Sequence, residues 1–291
     1  MGAAADKITI GLIQMSCASE PHLNLEKAIA KIEDAAKRGA HLVCTQELFR
    51  SHYPCQVEDP KFFDLAEPIP GPTTEALGAI ARSRKIIIVA SLFERRAAGV
   101  YHNTAVVIDE SGAIVGRYRK MHIPDDPRYY EKYYFTPGDL DFVAHPTSRG
   151  KVGVLVCWDQ WFPEAARLTA MAGAQILFYP TAIGWWHGEP ARVRPKQVNA
   201  WETIQRSHAI ANGIFVAAVN RVGVEGELEF WGDSFVVDPF GEVIARASAT
   251  AEETLLAECN LAKIEEVRRN WPFLRDRRID AYTDLTRRFR S

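Results

Sequence analysis

The sequence predicts a mixed α/β layered fold, and two observations carry the prediction. Short β-rich runs alternate with amphipathic helical stretches along nearly the whole chain, and two apolar segments fold back on themselves through tight turns. In order, KITIGLIQM reads as a strand, the segment around Leu25 to Lys37 as a helix, HLVCTQE as a strand, Thr73 to Arg84 as a helix, and IIIVASLFE as a strand. TAVVIDESGAIVGRY then places a Ser-Gly turn between two apolar arms, which predicts a hairpin and an antiparallel part to the sheet.

The second half repeats the theme. VGVLVC is a strand, a helix starts at about Pro163, ILFYPTA is a strand, a helix covers about Pro195 to Ala211, and IFVAAVN is a strand. SFVVDPFGEVIARA is the second hairpin, turning through Pro-Phe-Gly, and TLLAECN closes the series. No linker or low-complexity segment interrupts the alternation, so residues 1–260 read as one domain. Residues 261–291, rich in arginine and aromatics, read as a helix plus an extended arm that packs at a subunit interface, a frayed tail being the alternative.

Composition excludes several classes of function. The 291 residues are 47% hydrophobic and 25% charged, enough to bury a sizeable core without staples. A net charge of -2 supplies no basic field for nucleic acid. Five dispersed cysteines, with no CxxC pair and no Cys/His cluster, argue against a disulfide framework or a zinc site. No apolar run reaches membrane-spanning length and no signal peptide is visible, so a cytoplasmic location is expected.

Chemistry concentrates around KVGVLVCWDQWFPEAAR. Val152, Val154, Leu155 and Val156 form a buried strand that ends on Cys157, while Pro163 and Glu164 suit the first turn of a helix. A cysteine at such a strand-to-helix elbow can be a nucleophile whose thiolate or oxyanion is met by backbone N–H groups; an inert packed thiol is the alternative. A thiol needs a base, and Glu47 in TQELFR projects from a strand end. Lys120 closes a hairpin arm before a long loop, HIPDDPRYYEKYYFTPGD, of a length that compact domains usually reserve for function.

These blocks, in this order, resemble the nitrilase superfamily of carbon–nitrogen hydrolases: TQELF around Glu47, GRYRKMHIP around Lys120, and VGVLVCWDQWFPEAAR around Cys157. CWDQWFPEAAR together with HIPDDPRYYEKYYFTPGD is most similar to the N-carbamoylputrescine amidases. The resemblance implies a four-layer α-β-β-α sandwich, homo-oligomers built from dimers, and a Glu-Lys-Cys catalytic set needing no metal or organic cofactor. It also implies a second glutamate after the lysine block, matched by Glu131.

On that resemblance Glu47 accepts the thiol proton of Cys157, which attacks a ureido carbonyl. Lys120 and the backbone N–H of Trp158 receive the oxyanion, and Glu131 holds Lys120 and helps position water. The implied small-molecule substrate ends in a primary amine, for which Asp125, Asp126, Trp185, Trp186 and Glu189 are the candidate partners. A β-ureidopropionase, an ω-amidase or a true nitrilase uses the same set, and a non-catalytic thiol sensor is the alternative of a different class. His122, beside Lys120, is expected to support structure.

Overall fold

In a computed structural model, which describes residues 7–290, the alternation resolves into two six-stranded sheets, a small three-stranded sheet and flanking helices. The first half runs β1 (Lys7–Gln14), α1 (Pro21–Lys37), β2 (Leu42–Thr45), α2 (Pro72–Arg84), β3 (Ile87–Ala97), β4 (Val100–Ile108) and β5 (Ile114–Arg119). The second half runs α3 (Glu131–Tyr134), β6 (Ala144–Thr147), β7 (Gly150–Val154), α4 (Pro163–Met171), β8 (Ile176–Pro180), β9 (Gly184–Trp186), α5 (Arg194–Asn212) and β10 (Phe215–Val219). It continues through β11 (Val222–Glu225), β12 (Leu228–Trp231), β13 (Phe235–Val237), β14 (Val243–Arg246), β15 (Glu253–Asn260) and α6 (Ala262–Asn270).

Helix starts follow local chemistry. Pro21, Pro72 and Pro163 occupy first-turn positions where the missing N–H costs nothing. α5 ends on Gly213 at φ +57°, a left-handed cap that glycine adopts without a Cβ clash. Both expected hairpins form, β4 with β5 and β13 with β14. A third, β3 with β4, turns at Ala98-Gly99 and lengthens β3 past the expected IIIVASLFE. β6 and the sheet β11-β12-β9 are not anticipated by the sequence pattern, because their strands are only three or four residues long.

The large sheets have the orders β15-β1-β2-β3-β4-β5 and β14-β13-β10-β8-β7-β6. Each has a parallel centre, β1 to β3 and β7 with β8 and β10, with antiparallel strands at the edges. Side-chain alternation splits the first sheet's residues between two cores. Ile8, Ile10, Leu12, Leu42, Cys44, Ile87 and Val89 pack against the second sheet, whereas Ile13, Val43, Ile88 and Ala90 pack with Ala28 and Ile32 of α1 and Leu77 and Ala81 of α2. The second sheet's other face meets Ala165, Ala166 and Ala170 of α4 and Trp201 and Ala209 of α5. The architecture is therefore the four-layer α-β-β-α sandwich. α6 docks through Ile264 and through Arg268, which donates to the Asn212 carbonyl at 3.1 and 3.0 Å.

Candidate active site

β7 ends at Val154, three residues before the cysteine, where the sequence analysis carried the strand to Cys157. Leu155 still donates to the Phe178 carbonyl of β8, but the Val156 N–H is captured at 2.9 Å by the Asp159 carboxylate, which bends the chain out of the sheet. Cys157 opens a 3-10 turn, Cys157–Trp161, at φ +45°. For a non-glycine residue that conformation stores about 1 kcal/mol or more, and it survives only where its surroundings impose it. Asp159 does the imposing: fully buried, it also accepts from Tyr118 Oη at 2.8 Å, His122 N at 3.0 Å and His122 Nδ1 at 2.7 Å. His122 stacks on Phe162, ring centroids 3.7 Å apart, and so braces the elbow.

Behind the thiol lies a buried charge cluster. Lys120 Nζ donates to Glu47 Oε1 at 2.9 Å and to Glu131 Oε1 and Oε2 at 2.8 and 2.7 Å, and all three side chains are closed to solvent. Lys120 follows the last residue of β5, Glu47 lies just beyond β2, and Glu131 opens α3, so three separate segments converge. Asn103 of β4 donates to Glu47 Oε1 at 2.6 Å while its carbonyl accepts the Lys120 N–H at 2.9 Å. Tyr53 Oη donates to Glu131 Oε1 at 2.7 Å. Glu47 Oε2 is buried with no hydrogen-bond partner among the described residues, which leaves one carboxylate oxygen able to take a proton.

The fields in this cluster oppose one another. Burial pushes the Cys157 thiol well above its ordinary value, Glu47 adds to the push, and Lys120 pulls it back. Burial also works against the Lys120 ammonium, but Glu131 and Glu47 outweigh it, and the lysine stays charged well above its usual range. Burial raises the Glu131 carboxyl to about 7, with Lys120 pulling it down and Glu47 pushing it up. One cation thus faces two carboxylates and a thiol. The Cys157 side chain approaches the Ala182 carbonyl at 3.9 Å.

Cys157 also lies on the wall of a cleft of about 470 Å³ between the elbow, the loop after β5 and the segment from β8 to α5. Trp158, Asp126, Trp186 and Glu189 line it, as do Tyr129, Trp161 and Trp231. Two of the expected amine partners do not. Asp125 is exposed and outside the cleft wall, next in sequence to the lining residue Asp126. Trp185 alternates away from Trp186 along β9, packing 5.4 Å from Trp231 and under the Arg194 guanidinium.

The positions of Asn103 and Tyr53 carry no functional signal in the sequence, and Asp159 shows there only as part of the polar turn Trp158-Asp159-Gln160. Around Asn103 the sequence shows only a run of polar residues, His102-Asn103-Thr104, inside an otherwise apolar strand. Among the described residues no group of three or more His, Cys, Asp or Glu side chains is arranged to hold a metal ion, and no helix is long and apolar enough to cross a membrane.

Comparison with known proteins places this geometry in context. A family model described as carbon-nitrogen hydrolase matches residues 9–269. An N-carbamoylputrescine amidase of Solanum lycopersicum is 40% identical over 287 residues, covering 96% of this chain and 94% of that protein. A citrullinase of Francisella tularensis is 39% identical over 287 residues, covering 97% and 99%. The crystal structure of a carbon-nitrogen hydrolase from Helicobacter pylori G27 superposes with a TM-score of 0.95 at 50% identity, covering 98% of this chain and all of that one.

Proposed function

The chain belongs to the carbon-nitrogen hydrolase family of the nitrilase superfamily and is a hydrolase of amide carbon–nitrogen bonds, and from that premise we propose that it releases ammonia from N-carbamoylputrescine. The observation that carries the substrate is the charge of the cleft. Asp126 and Glu189 line it, and among the described residues no lysine, arginine or histidine does. Such a wall favours a ligand with a distal ammonium and disfavours the carboxylate-tailed substrates of an ω-amidase or a β-ureidopropionase. The aromatic faces of Tyr129, Trp158 and Trp186 suit the intervening methylenes and the cation.

In the proposed reaction Glu47 Oε2 takes the proton of Cys157 as sulfur bonds to the ureido carbonyl carbon. The oxyanion is met by Lys120 and by the Trp158 N–H. The proton passes from Glu47 to the departing nitrogen, which leaves as ammonia when its bond to the carbonyl carbon breaks. A thioester remains, and Glu131 helps position the water that cleaves it. The released carbamate breaks down to carbon dioxide and the diamine. The unpartnered Glu47 oxygen and the shared lysine support these roles. No cofactor enters this scheme.

We also propose that residues 1–260 form the hydrolase unit, and that the arm from 261 to 291 packs on a second copy of the chain. Ile279, Leu285 and Phe289, 71%, 63% and 86% exposed, support an interface there. The five unpaired cysteines support a reducing, cytoplasmic location.

The test of substrate is ammonia release from N-carbamoylputrescine, citrulline, N-carbamoyl-β-alanine and glutaramate, with Cys157→Ser as the blank. Preference for the first substrate is expected. A preference for citrulline or for either carboxylate-tailed compound rejects the substrate and keeps the hydrolase. Turnover by Cys157→Ser rejects the nucleophile.

A further inference from the structure

A second buried ion pair lies on the far side of Glu47. Arg221, just before β11, is fully enclosed, and its Nη1 donates to Glu225 Oε1 and Oε2 at 2.8 and 2.9 Å and to the Ser51 carbonyl at 3.2 Å. Its Nη2 donates to the carbonyls of Glu47 and Leu48 at 2.8 and 3.0 Å. Glu225 Oε2 accepts the Tyr53 N–H at 2.6 Å. Taking two charges out of water is costly, and an isolated buried pair returns little stability over an apolar replacement. What this pair does instead is satisfy buried backbone groups of Glu47, Leu48, Ser51 and Tyr53 in the irregular segment 47–53, in which Leu48 stands at φ +45°.

The two ends of that segment are the two ends of the charge cluster. At one end Glu47 meets Lys120, and at the other Tyr53 Oη meets Glu131, the second carboxylate on the same lysine. A planar guanidinium can reach three carbonyls and a carboxylate at once, which a point-charge ammonium cannot. We propose that Arg221 and Glu225 are a positioning pair for hydrolysis: through the backbone of 47–53 they set the distance between Glu47 and Glu131, and so the seat of Lys120 behind Cys157. Neither residue lines the cleft, so the pair acts on the chemical step and leaves substrate affinity alone. This inference rests on the proposed Glu47, Lys120 and Cys157 chemistry.

The experiment measures kcat, KM and the rate of Cys157 alkylation by iodoacetamide in Arg221→Lys, Glu225→Gln and Tyr53→Phe, each checked by circular dichroism. Because small misplacements of reacting groups are expensive, kcat is expected to fall about tenfold to a hundredfold in Arg221→Lys. KM stays within about twofold, and alkylation of Cys157 slows in step with kcat. Glu225→Gln keeps an acceptor for Tyr53 and the shape of the pair, so it serves as the mild variant if Arg221→Lys does not fold. Folded variants with lowered melting temperature but wild-type kcat and alkylation rate overturn the proposal, since a purely structural pair would behave that way. A parallel assay of Cys157→Ala separates the two layers: turnover there refutes the nucleophile, whereas its loss beside full activity in Glu225→Gln and Arg221→Lys refutes the positioning pair alone.

Discussion

Glu131 is a carboxyl group placed where its charge is least welcome, closed to water and facing Glu47 across a shared lysine. Because its folded value of about 7 lies above the ordinary 4.5, the native state keeps a proton that the unfolded chain releases. The contribution of this group to stability is therefore complete below about 4.5 and is lost as pH rises through about 7. Urea denaturation of wild type and Glu131→Gln across this window is the check. The stability of wild type relative to the variant is expected to fall, by up to a few kcal/mol, between acid and neutral pH. A constant difference would mean that Glu131 ionises in the folded protein as it does in water.

At the scale of an element, the proposed substrate sets its distal ammonium against the segment from β9 to α5, which supplies Trp186 and Glu189 to the cleft wall. β9 is an edge strand of the small sheet, and its alternation decides that Trp186 faces the cleft and Trp185 the core. Glu189 follows, half-buried, with Oε2 accepting from Gln197 Nε2 of α5 at 3.0 Å, so the helix holds the carboxylate at the cleft wall. A partly buried charge contact of this kind is worth about tenfold in binding. Glu189→Gln should thus raise KM for N-carbamoylputrescine by about that factor while leaving KM for an uncharged amide near its original value. An equal rise for both substrates would assign the ammonium to another carboxylate, with Asp126 the next on the wall.

Across the whole molecule, apolar surface is distributed unevenly. The central strands of both large sheets are buried, yet the arm beyond α6 presents Trp271, Phe273, Ile279, Leu285 and Phe289 to solvent. Apolar exposure of this kind supports the proposed subunit contact. Deleting residues 277–291 is expected to lower the native mass measured by light scattering toward the 32.6 kDa of one chain. An unchanged mass would move the interface elsewhere.

Most of the layered fold was legible in sequence because it rests on local periodicity. The runs KITIGLIQM, IFVAAVN and TLLAECN and the two turn-bearing hairpins declare themselves within a few residues, and each appears as a strand or hairpin. Glu47, Lys120 and Cys157 were picked out by the resemblance of their three ordered blocks to a known family, since a single acid, lysine or cysteine near a strand end is unremarkable by itself. Short strands such as β9 and β12 were not, because three or four residues hold too little alternation to distinguish from a loop. Nor were Asn103, Tyr53, Asp159 and Arg221 singled out, for their roles exist only through partners distant in sequence: Tyr53 is 78 residues from Glu131, and Arg221 is 174 from the Glu47 carbonyl. The chain's own order of residues determined which layers form and where Cys157, Glu47 and Lys120 lie along it. Only tertiary packing decided that one buried ammonium would be shared by two carboxylates, because that arrangement depends on the distances at which separate strands and loops come to rest.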